Sequence, residues 1–196
     1  MILFYRESLT MQAALPITKR RPFLGVVAVC AIVAAGYWIM APEKPLVLSP
    51  TVLASVTQAD SFKRVSGSGA REVHTFISVD CSFCRKIEPE FQKLDNVTVH
   101  YHLLPGHSAS ARQDARHVWC APDPAKAWAA AAGGAVVAAP ECDDAGLDRN
   151  LALALKLGIE NTPAMVLEDG RVMTGAFSAE ALDQEIATSA AGSAKQ

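Results

Sequence analysis

The longest apolar stretch of the chain lies near its N-terminus. Residues 23–41 contain no charged side chain. In a helix, at about 1.5 Å per residue, this run extends about 28 Å, which is close to the thickness of the hydrocarbon core of a bilayer. We therefore predict that residues 22–41 form one transmembrane helix, a signal anchor. A cleaved signal peptide is the alternative.

Basic residues flank this run on one side only. Lys19–Arg21 precede it, whereas Glu43 and Lys44 balance each other just after it. The positive-inside rule then places residues 1–21 in the cytoplasm and residues 42–196 in the periplasm. We expect a single-pass inner-membrane protein with its functional domain in the periplasm, or a soluble periplasmic domain if the segment is cleaved.

The next segment has the composition of a linker. Residues 42–70 begin with three prolines and end in Ser66-Gly67-Ser68-Gly69, so we predict a flexible connection to a domain over residues 71–196. A short amphipathic helix near Pro50 is compatible with this segment. Its apolar positions would be Val52, Val56, Ala59 and Phe62.

Residues 71–196 alternate between strand and helix patterns. Apolar runs and alternation predict strands over 72–79, 97–103, 164–168 and 171–176, the last two joined by the hairpin dipeptide Asp169-Gly170. Apolar spacings of three and four predict helices over 82–94, 108–120, 144–157 and 179–188, with another that begins at Pro124. Since a right-handed crossover makes the first two strands parallel, we predict an α/β fold, a small mixed sheet covered by helices with an Ala-rich helical insert.

Two of these helices have clear predicted faces. In the first, Cys84, Ile87, Phe91 and Leu94 form the apolar face, opposed by Arg85, Lys86, Glu88, Glu90 and Lys93. In the helix over 144–157, the predicted buried stripe is Leu147, Leu151, Ala154 and Leu155.

Charge excludes one class of partner. The chain carries 18 Lys and Arg against 20 Asp and Glu, a net charge of -2. Because nucleic-acid binding requires a basic surface, we expect no nucleic-acid partner.

The chemistry is concentrated in Cys81-Ser82-Phe83-Cys84, where the first strand meets a helix. Cys81 then lies at the helix N-terminus, whose unpaired N–H groups stabilise a thiolate. Thiol–disulfide exchange needs such a thiolate and a second thiol close enough to release the mixed disulfide. We therefore assign Cys81 as nucleophile and Cys84, more buried, as resolving thiol.

The other cysteines and the histidines fit this interpretation better than a zinc site. A structural zinc site needs a second closely spaced ligand pair, and Cys120 and Cys142 are too far apart to supply one. In an oxidising compartment they are better interpreted as a structural disulfide that closes the helical insert. We expect the histidines to be surface residues and predict no metal ligands; they are His74, His100, His102, His107 and His117. Cys30 lies in the apolar run and receives no chemical role.

Two prolines strengthen the redox interpretation. Pro89 lies inside the first helix, where we expect it to produce a kink. Thr162-Pro163 precedes an apolar strand, a position at which proline removes no ladder donor.

These features resemble the thioredoxin superfamily, and within it the catalytic domain of the DsbC/DsbG family of periplasmic disulfide isomerases. The matching stretches are FISVDCSFCRKIEPEF, HYHLLPG, VWCAPDPAKAW and LALALKLGIENTPAMVLEDGRVMTG. The resemblance implies a Cys81 nucleophile, a resolving Cys84, and substrate binding by Thr162 and a cis-Pro163. It also implies a Cys120–Cys142 pair.

The CxxC dipeptide and the N-terminus depart from that family. Ser82-Phe83, which we assign to substrate binding, replaces the Gly-Tyr or Pro-Tyr of the family. Residues 42–70 are too few for the family's N-terminal dimerisation domain. Exchange is therefore better supported than isomerisation.

The sequence as a whole predicts a thiol:disulfide interchange enzyme, an isomerase or reductase, without a cofactor beyond its dithiol. Its expected partners are disulfide-containing exported proteins, a membrane thiol donor of the DsbD type, and the inner membrane. The alternatives are a thiol oxidase, a non-enzymatic binding module or copper chaperone, and a surface anchor with inert cysteines.

Overall fold

The predicted succession of strands and helices is present in the computed structural model, which describes residues 46–193. The strands are β1 (Phe62–Val65), β2 (Arg71–Ile77), β3 (Val97–Leu103), β4 (Ala164–Leu167) and β5 (Val172–Thr174). The helices are α1 (Pro50–Thr57), α2 (Ser82–Gln92), α3 (Ala109–Trp119), α4 (Pro124–Ala132), α5 (Ala145–Lys156) and α6 (Ala179–Ser193). The predicted cytoplasmic and transmembrane segments, residues 1–41, lie outside the described residues. Within 46–193, no helix has the length and apolar character needed to cross a bilayer.

The strands form one mixed sheet in the order β1-β3-β2-β4-β5. β2 and β3 are parallel, with Val73 opposite Val99, and α2 makes the crossover between them. The other three pairs are antiparallel. The predicted α/β fold and the parallel pairing of its first two predicted strands are therefore confirmed.

Helices cover both faces of this sheet. Successive side chains of a strand point to opposite faces, so Val73 of β2 packs with Cys84 and Phe91 of α2. Phe76 of the same strand packs with Val56 of α1 on the other face. This packing fixes α2 along the sheet, with its N-terminus just beyond the carboxyl end of β2.

The apolar face predicted for α2 is buried, but one member of its predicted polar face is buried too. Only 2% of Glu88 is exposed. Its Oε2 atom accepts hydrogen bonds from Trp128 Nε1 at 2.7 Å and from Tyr101 Oη at 3.0 Å. Helical spacing alone places Glu88 on the solvent side of α2. It does not reveal that α4, which carries Trp128, packs against this side.

The described part of the expected linker, residues 46–70, belongs to the folded domain instead. It contains α1, whose Val56 is fully buried, and β1, which pairs antiparallel with β3. Phe62, predicted on a helix face, lies in β1 and stacks on Tyr101 with ring centroids 5.2 Å apart. The predicted domain boundary at residue 71 is thus wrong. The proline and glycines of this segment lie at the ends of a short helix and a short strand and do not form a flexible linker.

Chain before α1 also joins the domain. Leu48 N–H donates to the Gly170 carbonyl at 2.8 Å, and Val172 N–H donates to the Leu46 carbonyl at 2.8 Å. Gly170, with φ +83°, forms the turn between β4 and β5, and a Cβ there would meet the carbonyl of Leu48. The hairpin glycine therefore serves both the turn and this contact.

Two histidines expected on the surface are buried in the sheet. Only 5% of His74 is exposed, and His102 is fully buried. Burial lowers the pKa of His74 to about 3 and that of His102 to about 4, so both rings are neutral near pH 7. The expectation failed because the face that carries them is covered by α1, within the segment interpreted as a linker.

The buried stripe of α5 also differs from the prediction. Leu147 and Ala154 are buried as expected, but 37% of Leu151 and 68% of Leu155 are exposed. Asn150 is buried instead, and its Nδ2 atom donates to the Leu103 carbonyl at 3.2 Å. Asn150 occupies this sheet-facing position because the Leu103 carbonyl, at the end of β3, accepts its hydrogen bond.

Candidate active site

Cys81 is held at the N-terminus of α2 by the end of β2. It is the N-cap residue, with extended backbone angles of φ -87° and ψ 112°, and its sulfur accepts the N–H of Cys84 at 3.1 Å. An N-cap acceptor satisfies a backbone donor that the helix cannot satisfy itself. The first turn of α2 therefore directs one N–H group at the Cys81 sulfur.

The two thiols differ strongly in access. Cys81 is partly exposed, whereas Cys84 is fully buried. Burial, together with the neighbouring Cys81 sulfur, raises the pKa of Cys84 far above its ordinary value. Both are free thiols, so the site has one accessible sulfur and one protected sulfur a helical turn apart.

The Thr162–Pro163 segment lies against Cys81. The peptide bond between Thr162 and Pro163 is cis, and the Cys81 thiol donates to the Thr162 carbonyl at 3.2 Å. The Pro163 carbonyl accepts the N–H of Gly175 at 2.9 Å, which ties the segment to the end of β5. Cys81 and Thr162, which are 81 positions apart in sequence, thus meet at the Cys81 sulfur.

The dipeptide between the cysteines forms the outer rim of this site. Ser82 is exposed, and Phe83 is 55% exposed. Lys86 Nζ lies 5.2 Å from the centre of the Phe83 ring, within the range of a cation–π contact. The rim offers an aromatic surface to a chain that approaches Cys81.

A carboxylate next to Cys81 was missed from the sequence. The carboxylate of Asp80 accepts hydrogen bonds from the backbone N–H of His107 at 2.9 Å, from the ring Nδ1 of His107 at 3.2 Å, and from the hydroxyl of Ser78. Burial alone would raise the pKa of Asp80, but these hydrogen bonds outweigh it and lower the pKa. In the sequence, only its position directly before Cys81 marks Asp80. Its partner His107 comes from the loop that follows β3, so local patterns do not predict their contact.

The remaining cysteines lie outside this site. Cys120 and Cys142 form a disulfide across a separation of 22 residues. It joins the end of α3 to the segment before α5 and closes the chain that contains α4. Among the described residues, Glu72, His74 and His100, on β2 and β3, have potential ligand atoms within 4.8 Å of one another, and the rings of His74 and His100 are stacked with centroids 4.4 Å apart.

A dithiol at the start of the helix after a central strand, faced by a cis-proline on a mixed sheet, defines a protein of the thioredoxin class. The sequence model of the family described as "Thioredoxin-like domain" matches residues 58–190, and the chain belongs to that family. The match begins before residue 71, in agreement with a domain that includes β1.

Relatives of this chain share a common description. The probable thiol:disulfide interchange protein DsbC of Bordetella pertussis is 33% identical over 125 residues, 63% of this chain and 44% of that protein. The thiol:disulfide interchange protein DsbC of Salmonella typhimurium is 34% identical over 107 residues, 53% of this chain and 45% of that protein. The chain thus spans less than half the length of these relatives.

Solved structures extend the comparison. A disulfide interchange protein from Neisseria gonorrhoeae superimposes with a TM-score of 0.61 at 32% identity, covering 66% of this chain and 94% of that one. The catalytic domain of Proteus mirabilis ScsC, 22% identical with a TM-score of 0.58, shares the fold over 72% of this chain and 98% of its own. The resemblance to a DsbC-like thioredoxin-superfamily domain is thereby confirmed.

Proposed function

We propose that this protein catalyses thiol:disulfide interchange on exported proteins, with Cys81 as nucleophile and Cys84 as resolving thiol. The observation that carries the proposal is the asymmetry of the two sulfurs: an accessible one that accepts an N–H of α2, and a buried one directly behind it. Relatives named for this interchange support the same chemistry.

The reaction balances within the dithiol. The Cys81 thiolate attacks one sulfur of a substrate disulfide, forms a mixed disulfide and releases the other sulfur as a thiolate that takes up a proton. Cys84, after losing its proton, then attacks the Cys81 sulfur, and the second substrate thiol leaves. Two electrons have moved to the substrate. If a second substrate thiolate instead attacks the substrate sulfur of the mixed disulfide, a new substrate disulfide forms and Cys81 leaves as the thiolate, so the dithiol is restored and the substrate is isomerised. Neither route needs a cofactor beyond the dithiol.

Substrate binding is assigned to the residues that surround the Cys81 sulfur. The Thr162 carbonyl lies 3.2 Å from this sulfur, so an extended substrate segment beside Thr162 and Pro163 would bring its own sulfur into line. Ser82 and Phe83 form the outer rim, where the exposed aromatic ring would contact the apolar residues near a substrate cysteine.

The chain as a whole is proposed to be anchored in the inner membrane. Residues 1–21 would remain in the cytoplasm and 22–41 would cross the bilayer, because an uncharged run follows Lys19–Arg21. The catalytic domain, from about residue 46, would then face the periplasm, where a membrane thiol donor of the DsbD type would return Cys81 and Cys84 to the reduced state. Persistence of the full chain in membranes after alkaline extraction tests the anchor, and release into the soluble fraction contradicts it.

Insulin reduction by the full chain tests the catalytic proposal. Cys81→Ser should abolish activity, and Cys84→Ser should accumulate a mixed disulfide through Cys81, because the resolving thiol is missing. Cys30→Ser is the matched control, since it also removes one thiol but should leave activity unchanged. Full activity in Cys81→Ser contradicts the proposal, as does a mixed disulfide attached through any other cysteine.

A further inference from the structure

A cavity of about 230 Å³ lies near the cysteine pair, between α2 and the chain that leaves α4. Its lining is mostly aliphatic and comes from the end of β2, from α3 and from residues 131–137: Val79, Val118, Ala131, Val136 and Val137. Arg85 of α2 and Asp114 of α3 also line it. We call this cavity the insert groove. The reaction proposed above for Cys81 and Cys84 does not use it.

The insert groove adjoins the surface around Cys81. Val79 is two residues before Cys81, so their Cα atoms are at most about 7 Å apart, and Arg85 directly follows Cys84. The Arg85 guanidinium donates to the Val79 carbonyl at 3.2 Å, which joins the two parts of the groove that are nearest to the cysteines. A polypeptide whose sulfur lies at Cys81 can therefore reach the groove with the residues close to its own cysteine.

One wall of the groove belongs to an aliphatic segment that is exposed to solvent. Residues 135–140 read Ala-Val-Val-Ala-Ala-Pro and contain no polar side chain. Val136, which lines the groove, is 97% exposed. Soluble proteins rarely leave a contiguous run of apolar side chains in water, because burial of such side chains is favourable. The segment therefore has the character of an interaction surface.

The main chain of this segment is fixed at both ends but unpaired between them. Before it, the N–H of Ala135 donates to the Ala130 carbonyl at 2.9 Å, and after it, Cys142 is joined to Cys120. No hydrogen bond joins the main chain of residues 136–140 to another described residue. Unpaired main-chain groups at a fixed place can pair with an extended peptide, whose side chains then enter neighbouring pockets.

We propose that the insert groove binds the aliphatic side chains next to the reacting cysteine of an extended segment of an exported polypeptide. This binding rests on the proposed function, because the approach of a substrate sulfur to Cys81 brings the flanking residues to the groove. Contact there holds the sulfur close to Cys81 and speeds formation of the mixed disulfide. Arg85 and Asp114 bear opposite charges, so the groove does not select a charged segment, and aliphatic residues match its lining.

Reaction of the full chain with two matched peptides tests this binding. The chain carries Cys30→Ser and Cys84→Ser, so that Cys81 alone can react, and the Cys120–Cys142 disulfide remains. Each peptide has one cysteine bonded to thionitrobenzoate, flanked by valines in one peptide and by serines in the other. The Cys81 thiolate attacks the peptide sulfur, a mixed disulfide forms, and thionitrobenzoate leaves as a coloured thiolate because its thiol is the stronger acid. We expect the valine peptide to react about 10-fold faster, the factor that corresponds to burial of one valine side chain.

Variants in the same background locate the contact. Val136→Ser should lower the preference for the valine peptide to about 3-fold or less. It should fold as the parent does, because Val136 is 97% exposed, and circular dichroism checks this. Val65→Ser is the matched control, since Val65 is an exposed valine of β1 that does not line the groove, and it should keep the full preference.

The outcomes separate this binding from the exchange chemistry. Equal rates for the two peptides leave Cys81 as a working nucleophile and overturn the groove alone, as does an unchanged preference in Val136→Ser. A larger preference in Val136→Ser would mean that a segment of this chain or a second copy covers the groove, which also overturns the proposal. Absence of reaction with both peptides contradicts the proposed function, and the binding with it.

Discussion

Removal of the buried carboxyl of Glu88 should destabilise the domain strongly, whereas Glu88→Gln should not. Glu88 lies on α2, one turn after Cys84, and is 2% exposed. Its Oε2 atom accepts from Trp128 Nε1 at 2.7 Å and Tyr101 Oη at 3.0 Å. One side chain thus links the helix that carries both cysteines to α4 and to β3.

The magnitude follows from the donors left without an acceptor. In Glu88→Ala, the Trp128 N–H and the Tyr101 hydroxyl remain buried and unpaired, at about 1–3 kcal/mol each. We therefore expect the free energy of unfolding to fall by about 2–6 kcal/mol, a large part of the stability of a domain this size. Glu88→Gln keeps an acceptor oxygen for both donors, and its change should stay within about 1 kcal/mol in weak acid.

The pH dependence separates these variants further. Burial raises the pKa of Glu88 above its ordinary value of 4.5, and hydrogen bonds from Gln92, Tyr101 and Trp128 oppose this shift without cancelling it. Between pH 4.5 and the raised value, the folded state binds more protons than the unfolded state, so stability falls as pH rises. Glutamine has no proton to lose. The stability of Glu88→Gln relative to the parent should therefore increase with pH.

Urea unfolding of the parent and both variants, followed by tryptophan fluorescence and circular dichroism from about pH 4 to pH 8, measures these differences. The reasoning fails if Glu88→Ala is within about 0.5 kcal/mol of the parent, the usual range for surface substitutions. It also fails if the difference between Glu88→Gln and the parent does not change with pH.

Three further predictions concern elements around the site. Val56→Ala should lower the free energy of unfolding by about 2 kcal/mol, because Val56 is fully buried. An unchanged urea midpoint would contradict the packing of α1 on the domain. Replacing Cys120 and Cys142 by alanine should lower it by about 3 kcal/mol for the 22-residue loop, and equal urea midpoints with and without the bond would contradict this. Gly146→Ala should cost about 1 kcal/mol or more despite its better helix propensity, because the new Cβ meets the ring of Trp119; a higher thermal midpoint would refute the contact.

The core of the candidate site was predictable because its signals are local. A buried strand followed by Cys81-Ser82-Phe83-Cys84 and a helical pattern predicts the position of both sulfurs from adjacent residues. The cis bond before Pro163 was expected only through the family resemblance, since spacing does not distinguish cis from trans. Its contact with Cys81 depends on pairing of β4 with β2, which local patterns do not specify.

The missed features depend on long-range pairing. β1 has four residues at the sheet edge, and Phe62 acquires its role only by stacking on Tyr101 of β3. Glu88 and Trp128 are 40 residues apart, so helical periodicity alone placed the carboxylate in solvent. His74 and His102 looked separate in sequence and meet only because β2 and β3 are neighbours.

The central claim, an accessible nucleophilic sulfur backed by a protected one, is tested most directly by competitive alkylation. The reduced native full chain is treated briefly with limiting iodoacetamide, and peptide mass spectrometry then compares the labelling of Cys81 with that of Cys84. The account predicts labelling at Cys81 while Cys84 stays unmodified until the chain is unfolded. Equal labelling of the two sulfurs, or faster labelling of Cys84, would contradict it.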